Sequence, residues 1–257
     1  MTSTAVVNKI KWACSARKAG HAGTLDPSAT GILAIALGEA TKTIPYVTEQ
    51  IKSYTFEVKW GEATDSDDSD GKIIKTSQMR PSEQDIIAIL PRFRGEIKQT
   101  PPFFSAVKIN GRRAYELARS GEDFDIASRS LFVSSLKLEK YISENSAILS
   151  LECGKGGYVR SIARDLGLEL GCYGHVKWLR RIASGSFNLS MAHSLDTILK
   201  LNKTSAVNNF ILPVELGLST IKHGTCTSTA AEKIKNGNSA PILCKEARTG
   251  DEIWVSY

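Results

Sequence analysis

Strict alternation of apolar and polar residues over 53–60 is the clearest pattern in the chain. Because successive side chains of a strand point to opposite faces, this alternation predicts a β-strand with one buried face. The apolar positions are Tyr54, Phe56, Val58 and Trp60. Apolar segments at 131–138 and 147–153 predict two further strands. The acidic stretch 62–70, followed by a glycine, predicts a turn or hairpin tip with solvated side chains.

Helical spacing of apolar residues predicts three helices. Residues 3–16 place apolar side chains on one stripe. Residues 158–170 do the same, with Arg160 and Arg164 on the opposite side of the helix. A third helix is predicted over 82–90, where a serine and a first-turn acid open it and a proline ends it.

The order of these elements indicates the fold class. Strands and helices alternate irregularly, without the regular β–α–β spacing of a parallel sheet, and no internal repeat occurs. We therefore expect an α+β fold, a mixed and largely antiparallel sheet flanked by helices. Residues 1–196 are expected to form a large domain, and residues 212–257 a smaller module.

Composition limits the class of protein. The 257 residues are 42% hydrophobic, which is enough to bury a core, and no apolar run approaches the roughly 20 residues of a membrane helix. The N-terminus has no charged and then apolar leader. Five cysteines, an odd number without regular spacing, favour a reducing compartment over a disulfide framework. We expect a cytoplasmic protein with no membrane association.

The net charge of +6 is concentrated in two basic segments, residues 1–25 and 154–181. If the fold joins them, they form one surface that binds phosphates. The other interpretation is two solvated helix faces, which charge alone favours.

Metal and nucleotide motifs are absent or incomplete. The acidic stretch 65–71 has the glycine of a calcium-binding loop but lacks the acids that such a loop needs at its first and last positions. Cys172 and His175 have half of a metal-site spacing without a second pair. No P-loop, GxGxxG, HExxH or GxSxG motif occurs. We expect neither a metal nor a cofactor.

The segment KAGHAGTLDPSATG, residues 18–31, is different in kind. Its glycines allow backbone conformations that are closed to other residues, and Pro27 restricts both itself and Asp26. Asp26 is therefore a carboxylate on a stiff loop. Such a sequence is most often a simple turn, but loops this constrained also hold catalytic groups.

Four segments in order resemble the bacterial type of the TruB family of tRNA pseudouridine synthases, and together they span roughly residues 1–190. The segments are KAGHAGTLDPSATGILAIALGEATK, KSYTFEVKWGEATDSDDSDG, FRGEIKQTPPFFSAVKINGRRAYELARSG and CGKGGYVRSIARDLGLELGCYGHVKWLRRIASGSF. The resemblance implies that residues 1–196 are a catalytic domain with the pseudouridine synthase fold. It also implies isomerisation of uridine, in which the bond from ribose to uracil N1 breaks and the base rejoins through C5.

The resemblance assigns roles to individual residues. Asp26 in GTLDP matches the catalytic aspartate, which can act as a nucleophile or as an electrostatic partner. Arg160 matches the arginine that pairs with this carboxylate. Tyr54 matches an active-site tyrosine that can stack on uracil or take the C5 proton. Tyr158 and Leu179 match residues that line the base pocket.

Contacts with RNA are implied as well. His21 in GHAG matches the histidine that enters the RNA when the target base flips out. Plausible phosphate contacts are Lys18, Lys42, Lys155, Arg180 and Arg181. The implied substrate is the T-arm of tRNA, modified at position 55 of the T-loop, without an obligatory protein partner. The alternatives are a relative that depends on a guide RNA and a non-catalytic protein that binds or folds tRNA.

Both ends of the chain depart from the family pattern. The family begins with a strand and a KPxGxTS motif, whereas MTSTAVV aligns with the end of that motif, so we expect the first strand to be missing. Residues 212–257 resemble the start of a small RNA-binding module of the PUA type, which would stop within a strand at Tyr257. Phe104 stands where tyrosine is common, a change that we expect to be harmless.

Overall fold

The computed structural model describes residues 1–257. Its α-helices are α1 (Ser3–Ala13), α2 (Ile44–Glu49), α3 (Glu83–Ile89), α4 (Ala114–Arg119), α5 (Val159–Glu169), α6 (Leu195–Lys200) and α7 (Ser228–Lys235). Its strands are β1 (Ala19–His21), β2 (Thr30–Gly31), β3 (Ile35–Leu37), β4 (Lys52–Trp60), β5 (Glu62–Thr64), β6 (Ile73–Thr76), β7 (Gly95–Gln99), β8 (Lys108–Ile109), β9 (Arg112–Arg113), β10 (Arg129–Ser143), β11 (Ser146–Cys153), β12 (Gly174–Ser184), β13 (Phe187–Asn188), β14 (Lys222–Thr225) and β15 (Ile253–Ser256). No helix is long and apolar enough to cross a membrane.

A central sheet organises the chain in the order β13-β12-β4-β11-β10-β7, and β2 joins it at β12. All neighbours along this order are antiparallel, and β2 pairs with β12 in parallel. The predicted α+β class with a mixed, largely antiparallel sheet is therefore confirmed. The strands predicted at 53–60, 131–138 and 147–153 correspond to β4, part of the longer β10, and β11.

The main core lies on one face of this sheet, beneath α5 and α3. Phe56 and Trp60 of β4 and Leu149 of β11 are almost fully buried there, as are Ile162 and Leu166 of α5. Burial of such large side chains contributes about 1.5–3 kcal/mol each, which makes this cluster a principal source of stability. The apolar stripe predicted for 158–170 is thus the stripe that faces the sheet.

Local hydrogen bonds explain where α3 begins. The Ser82 Oγ accepts from the backbone N–H of Asp85 at 3.2 Å, while the backbone N–H of Ser82 donates to the Asp85 Oδ2 at 2.9 Å. This reciprocal capping satisfies two N–H groups that have no partner within the helix. The helix predicted from the serine is confirmed, and it ends before Pro91.

The segment 19–31, predicted as a loop, contains two short strands. Residues of β1 pair antiparallel with β3, and β2 pairs with β12. Between β1 and β2 the chain is irregular, and Asp26 lies there. Three-residue and two-residue strands carry too few side chains to show an alternation, which is why the pattern did not reveal them.

A small unit follows the central sheet. Strands β14 and β15 are parallel and α7 lies between them in the chain. The division of the chain into residues 1–196 and 212–257 stays a prediction.

Gly31 provides a test of how the Asp26 segment is attached to the sheet. Its φ is +99°, and an added Cβ would lie 2.1 Å from the Arg181 carbonyl oxygen. We predict that Gly31→Ala lowers the free energy of unfolding by at least about 2 kcal/mol more than the control Gly38→Ala, since overpacking adds to backbone strain. Gly38 also has a positive φ, +57°, but its added Cβ would meet nothing within 4 Å. Urea denaturation measures both, and equal losses would contradict the close attachment.

Candidate active site

The carboxylate of Asp26 forms a two-fold hydrogen-bonded ion pair with Arg160. The Arg160 Nε donates to the Asp26 Oδ2 at 2.9 Å, and the Nη2 donates to the Oδ1 at 3.0 Å. Arg160 is the second residue of α5, 134 residues from Asp26 in the chain. When a guanidinium group binds a carboxylate through two hydrogen bonds, the pair fixes the orientation of the carboxylate in addition to balancing its charge. Asp26 keeps 29% of its side chain exposed, so the residue is in contact with solvent.

Arg160 is buried although helical periodicity placed it on the side away from the core. Its side chain is 7% exposed. The Nη1 donates to the Ser66 carbonyl at 3.0 Å, and the Nη2 donates to the Phe104 carbonyl at 3.1 Å. A carboxylate oxygen of Asp68 lies 3.7 Å from the Nη1. One guanidinium therefore connects the Asp26 segment, the acidic hairpin and the segment around residue 104.

Asp67 and Asp68 contact the arginines of α5, and the sequence reasoning missed these contacts. The predicted hairpin tip is confirmed between β5 and β6, but the expected solvation is wrong for Asp67 and Asp68, because two arginines of α5 lie against them. Arg164 donates to the Asp67 Oδ2 at 2.9 Å, and burial raises the pKa of Asp67 to about 6 against the opposing effect of Arg164. Two arginines four residues apart, facing a run of acids elsewhere in the chain, were the signal that could have indicated this contact.

Tyr54 and Leu179 lie on the core face of adjacent strands. Tyr54 of β4 is paired in register with Arg181 of β12, and Leu179 with Phe56. Burial raises the pKa of Tyr54 to about 12 against the opposing effect of the nearby Arg181, and the Asp26 charge makes a smaller contribution that also raises it. At neutral pH the phenol is therefore protonated, with only about one molecule in 10⁵ ionised. The side chain presents a neutral aromatic ring.

Tyr158 occupies the N-cap position of α5, immediately before the first helical turn, which contains the buried Arg160. The Gln99 side chain accepts from its backbone N–H at 2.9 Å and donates to its carbonyl at 3.1 Å. Burial raises the pKa of the half-buried Tyr158, and the charges of Arg160 and Asp26 also act on it. The structure thus brings Tyr158 near the Asp26 carboxylate.

His21 is half-buried in β1, and its Nδ1 has no hydrogen-bond partner within the protein. Burial lowers the pKa of His21, and the charge of Arg181 lowers it further. The imidazole is accordingly neutral at physiological pH.

The five cations expected to contact phosphate do not share one environment. Lys18, Lys42, Lys155 and Arg180 are exposed, and Lys42 and Lys155 are paired with Glu39 and Glu49. Arg181 is 1% exposed and donates to backbone carbonyl groups, so the structure contradicts its assignment as a phosphate contact. Adjacent residues of a strand face opposite sides, and Arg181 is the one that faces inward.

An apolar cavity of about 570 Å³ lies behind the Asp26 segment. It is bordered by α1, α2 and residues 187–217, and Asp26 and Pro27 lie at its edge. No three His, Cys, Asp or Glu side chains are grouped closely enough to hold a metal ion.

Comparison with known proteins identifies the family. The model of the TruB family pseudouridylate synthase, N-terminal domain, matches residues 11–159. That of the tRNA pseudouridylate synthase B C-terminal domain matches residues 160–219. A protein of Ruegeria pomeroyi named tRNA pseudouridine synthase B is 51% identical over 257 residues, which are 100% of this chain and 85% of that protein. Its namesake from Bartonella tribocorum is 44% identical over 274 residues, covering 100% of this chain and 86% of the relative.

Solved structures share the fold. A Cbf5-Nop10-Gar1 complex superposes with a TM-score of 0.74 at 24% identity, over 99% of this chain and 71% of the matched chain. An H/ACA RNP bound to a substrate RNA containing 2'-deoxyuridine gives 0.73 at 22% identity, over 99% and 70%. With family models matched across residues 11–219 and relatives about half identical over its whole length, the chain belongs to the TruB family of pseudouridylate synthases.

Proposed function

We propose that this chain isomerises the uridine at position 55 of the tRNA T-loop to pseudouridine, with Asp26 as the catalytic carboxylate. The observation that carries the proposal is the bidentate pair between Asp26 and the buried Arg160. The pair presents an oriented, partly accessible carboxylate close to Tyr54. Relatives named tRNA pseudouridine synthase B, 51% identical to the chain, support tRNA as the substrate class.

The chemistry requires one bond to break and another to form. The bond from ribose C1′ to uracil N1 breaks, C1′ bonds to C5 after the base turns, and the C5 proton leaves while N1 gains a proton. A carboxylate can stabilise a cationic sugar or bond to it covalently. Arg160 supports this role because its fork holds both oxygens of Asp26 in one orientation. Attack on the sugar, attack on the base and removal of a ribose proton are the three steps that this carboxylate could perform.

Tyr54, Leu179 and Tyr158 are proposed to bind the uracil ring. A ring between an aromatic and an aliphatic side chain is held largely by stacking and apolar contact. Since Tyr54 has a pKa of about 12, stacking is the role that suits its resting state best. Transfer of the C5 proton to this residue would require its own hydroxyl proton to move first.

The target uridine must leave its stack to reach Asp26, which costs a few kcal/mol. We propose that His21 fills the vacated position and that the exposed cations Lys18, Lys42, Lys155 and Arg180 contact the tRNA backbone. Residues 1–196 carry all of these positions. Residues 212–257 are proposed as an additional RNA-binding module, and no protein partner is required.

Turnover on an isolated T-arm stem-loop tests the function. Asp26→Asn and Asp26→Ala are predicted to lower kcat more than about a hundredfold while RNA binding changes only a few-fold, because the carboxylate acts in the transition state. Asp196→Asn, a change at an exposed carboxylate of α6, is the control. Comparable pseudouridine formation by Asp26→Ala would refute the assignment.

The same assay separates the alternatives. Activity of the wild type on the bare stem-loop agrees with a stand-alone enzyme. Activity that requires an added guide RNA would identify a guide-dependent enzyme, and tight binding without turnover would identify a non-catalytic tRNA-binding protein.

Replacement of the buried arginine tests the pair. Arg160→Lys keeps a cation but loses the fork, so we predict at least about a tenfold fall in kcat. The matched control is Arg164→Lys on the same helix, which removes a guanidinium group that binds Asp67, Asp165 and the Thr100 carbonyl rather than Asp26. Kinetics are measured below the melting temperature of each variant. A smaller effect of Arg160→Lys than of Arg164→Lys would argue against the Asp26 pair as the centre of the site.

The salt dependence of binding tests the phosphate contacts. Each contact contributes roughly 0.7–0.9 units to the slope of log affinity against log salt. Lys18→Gln is predicted to reduce the slope by up to that amount. Lys137→Gln, at an exposed lysine of β10, should leave it unchanged. Equal slopes for both variants in filter-binding titrations would remove Lys18 from the interface.

A further inference from the structure

Two side chains outside the Asp26–Arg160 pair hold the backbone of the segment that carries Asp26. This segment, residues 22–32, is called the catalytic loop below. The side chains are those of Arg181 in β12 and Ser3 in α1, and both are almost fully buried. Ser3 lies near the beginning of residues 1–196 and Arg181 near their end, yet both side chains bind the same loop.

Arg181 binds the catalytic loop with all three nitrogens of its guanidinium group. The Nε donates to the Ile32 carbonyl at 2.8 Å, the Nη1 to the Thr24 carbonyl at 3.1 Å and the Nη2 to the Gly23 carbonyl at 3.2 Å. The Arg181 backbone adds a bond, since its carbonyl accepts from the Ile32 N–H at 2.9 Å. The two ends of the loop are therefore joined through one residue.

Ser3 binds the residue immediately before Asp26. Its Oγ donates to the Leu25 carbonyl at 3.0 Å and accepts from the Leu25 N–H at 2.9 Å. A single hydroxyl thus satisfies both backbone groups of that residue. With Ser3 at Leu25 and Arg181 at Gly23, Thr24 and Ile32, the backbone on both sides of Asp26 is fixed.

We propose that Arg181 and Ser3 are positioning residues of the reaction, which hold the catalytic loop so that the Asp26 carboxylate meets the target nucleotide in one geometry. The proposal rests on Asp26 being the catalytic carboxylate. Arg160 fixes the carboxylate itself, but its aim depends equally on the backbone from which the side chain departs. A displacement of about 1 Å at a reacting group can reduce the rate by about a hundredfold.

The partners of Arg181 distinguish positioning from simple charge pairing. It has no carboxylate within salt-bridge distance, and its three hydrogen bonds to the catalytic loop all go to backbone carbonyls, while the Tyr54 hydroxyl also lies near its guanidinium group. Burial of an arginine against neutral acceptors is unfavourable for stability alone, compared with an apolar side chain of similar size. The planar fork, which no other side chain offers, is what joins three separated carbonyl groups.

Ser3 offers a test with an internal control. Ser3→Ala removes the hydroxyl group that binds the backbone N–H and carbonyl of Leu25. The control Thr2→Ala removes the N-cap of the same helix, where the Thr2 Oγ1 accepts from the Ala5 N–H. We predict that Ser3→Ala lowers kcat on the T-arm stem-loop at least about tenfold with KM within about threefold. Ser3→Thr, which retains the hydroxyl at the edge of the apolar cavity, should restore most of the rate.

Thr2→Ala should lower the melting temperature while kcat below that temperature is unchanged. Loss of kcat in Thr2→Ala equal to that in Ser3→Ala would show that α1 stability, and not the bond to Leu25, is responsible. Normal kcat in Ser3→Ala would also overturn the proposal for Ser3.

Arg181 is compared with its exposed neighbour Arg180. Arg181→Lys keeps the charge but cannot reach all three carbonyls, so kcat should fall at least about tenfold while affinity for the stem-loop and its salt slope hold. Arg180→Gln should instead raise KM and reduce the salt slope of binding, while kcat is retained. A salt slope reduced by Arg181→Lys, with kcat retained, would overturn the positioning role.

These outcomes are separable from failure of the proposed function. Absence of turnover by the wild type on the stem-loop refutes the function, and full activity of Asp26→Ala refutes the catalytic role of Asp26 on which the positioning proposal rests. An inactive Asp26→Ala together with normal kcat in Ser3→Ala and Arg181→Lys refutes only the positioning role.

Discussion

The ion pair between Asp26 and Arg160 is the interaction on which the arrangement of the site depends. Transfer of both groups from water is costly, and the loss is offset because both carboxylate oxygens and three guanidinium nitrogens are hydrogen-bonded. The carbonyls of Ser66 and Phe104 complete this set. Removal of Arg160 would leave the partly buried Asp26 carboxylate without its partner, and removal of Asp26 would leave the buried Arg160 with Asp68 as its nearest carboxylate, 3.7 Å away. Three segments of the chain are therefore fixed relative to one another by a single side chain.

The sheet explains how residues distant in sequence reach this pair. Strands β4 and β12 are adjacent, so Tyr54 and Arg181 lie opposite each other on the core face. The β2 strand extends the same sheet beyond β12, which brings the catalytic loop beside them. The first turn of α5 lies over this region with Arg160. The loop is thus held by a rigid scaffold, while the exposed part of Asp26 faces outward.

Regular patterns predicted the main elements, and chemistry alone did not predict the site. One face of β4 and one face of α5 are buried, and one-sided burial produces a periodic pattern of apolar residues. Both elements could therefore be predicted from the sequence. Asp26 stood out as a carboxylate on a restrained loop, but its proposed role followed from the resemblance to a family. Periodicity misplaced Arg160, because a hydrophobic stripe contains no information on a buried ion pair. The burial of Arg181 beside an exposed Arg180 also depends on the register of β12, which two adjacent arginines do not indicate.

The most direct test of the account is a crystal structure of the protein with a T-arm stem-loop whose target uridine carries fluorine at C5. Fluorine replaces the hydrogen at C5 and cannot leave as a cation. The last step of the isomerisation, loss of a proton from C5, therefore cannot take place. The account predicts that the nucleotide is flipped out, with its ring against Tyr54 and Leu179 and a reacting atom about 3–3.5 Å from an Asp26 carboxylate oxygen. Arg160 should still bind both oxygens. A target nucleotide that binds elsewhere, or an Asp26 carboxylate directed away from it, would contradict the account.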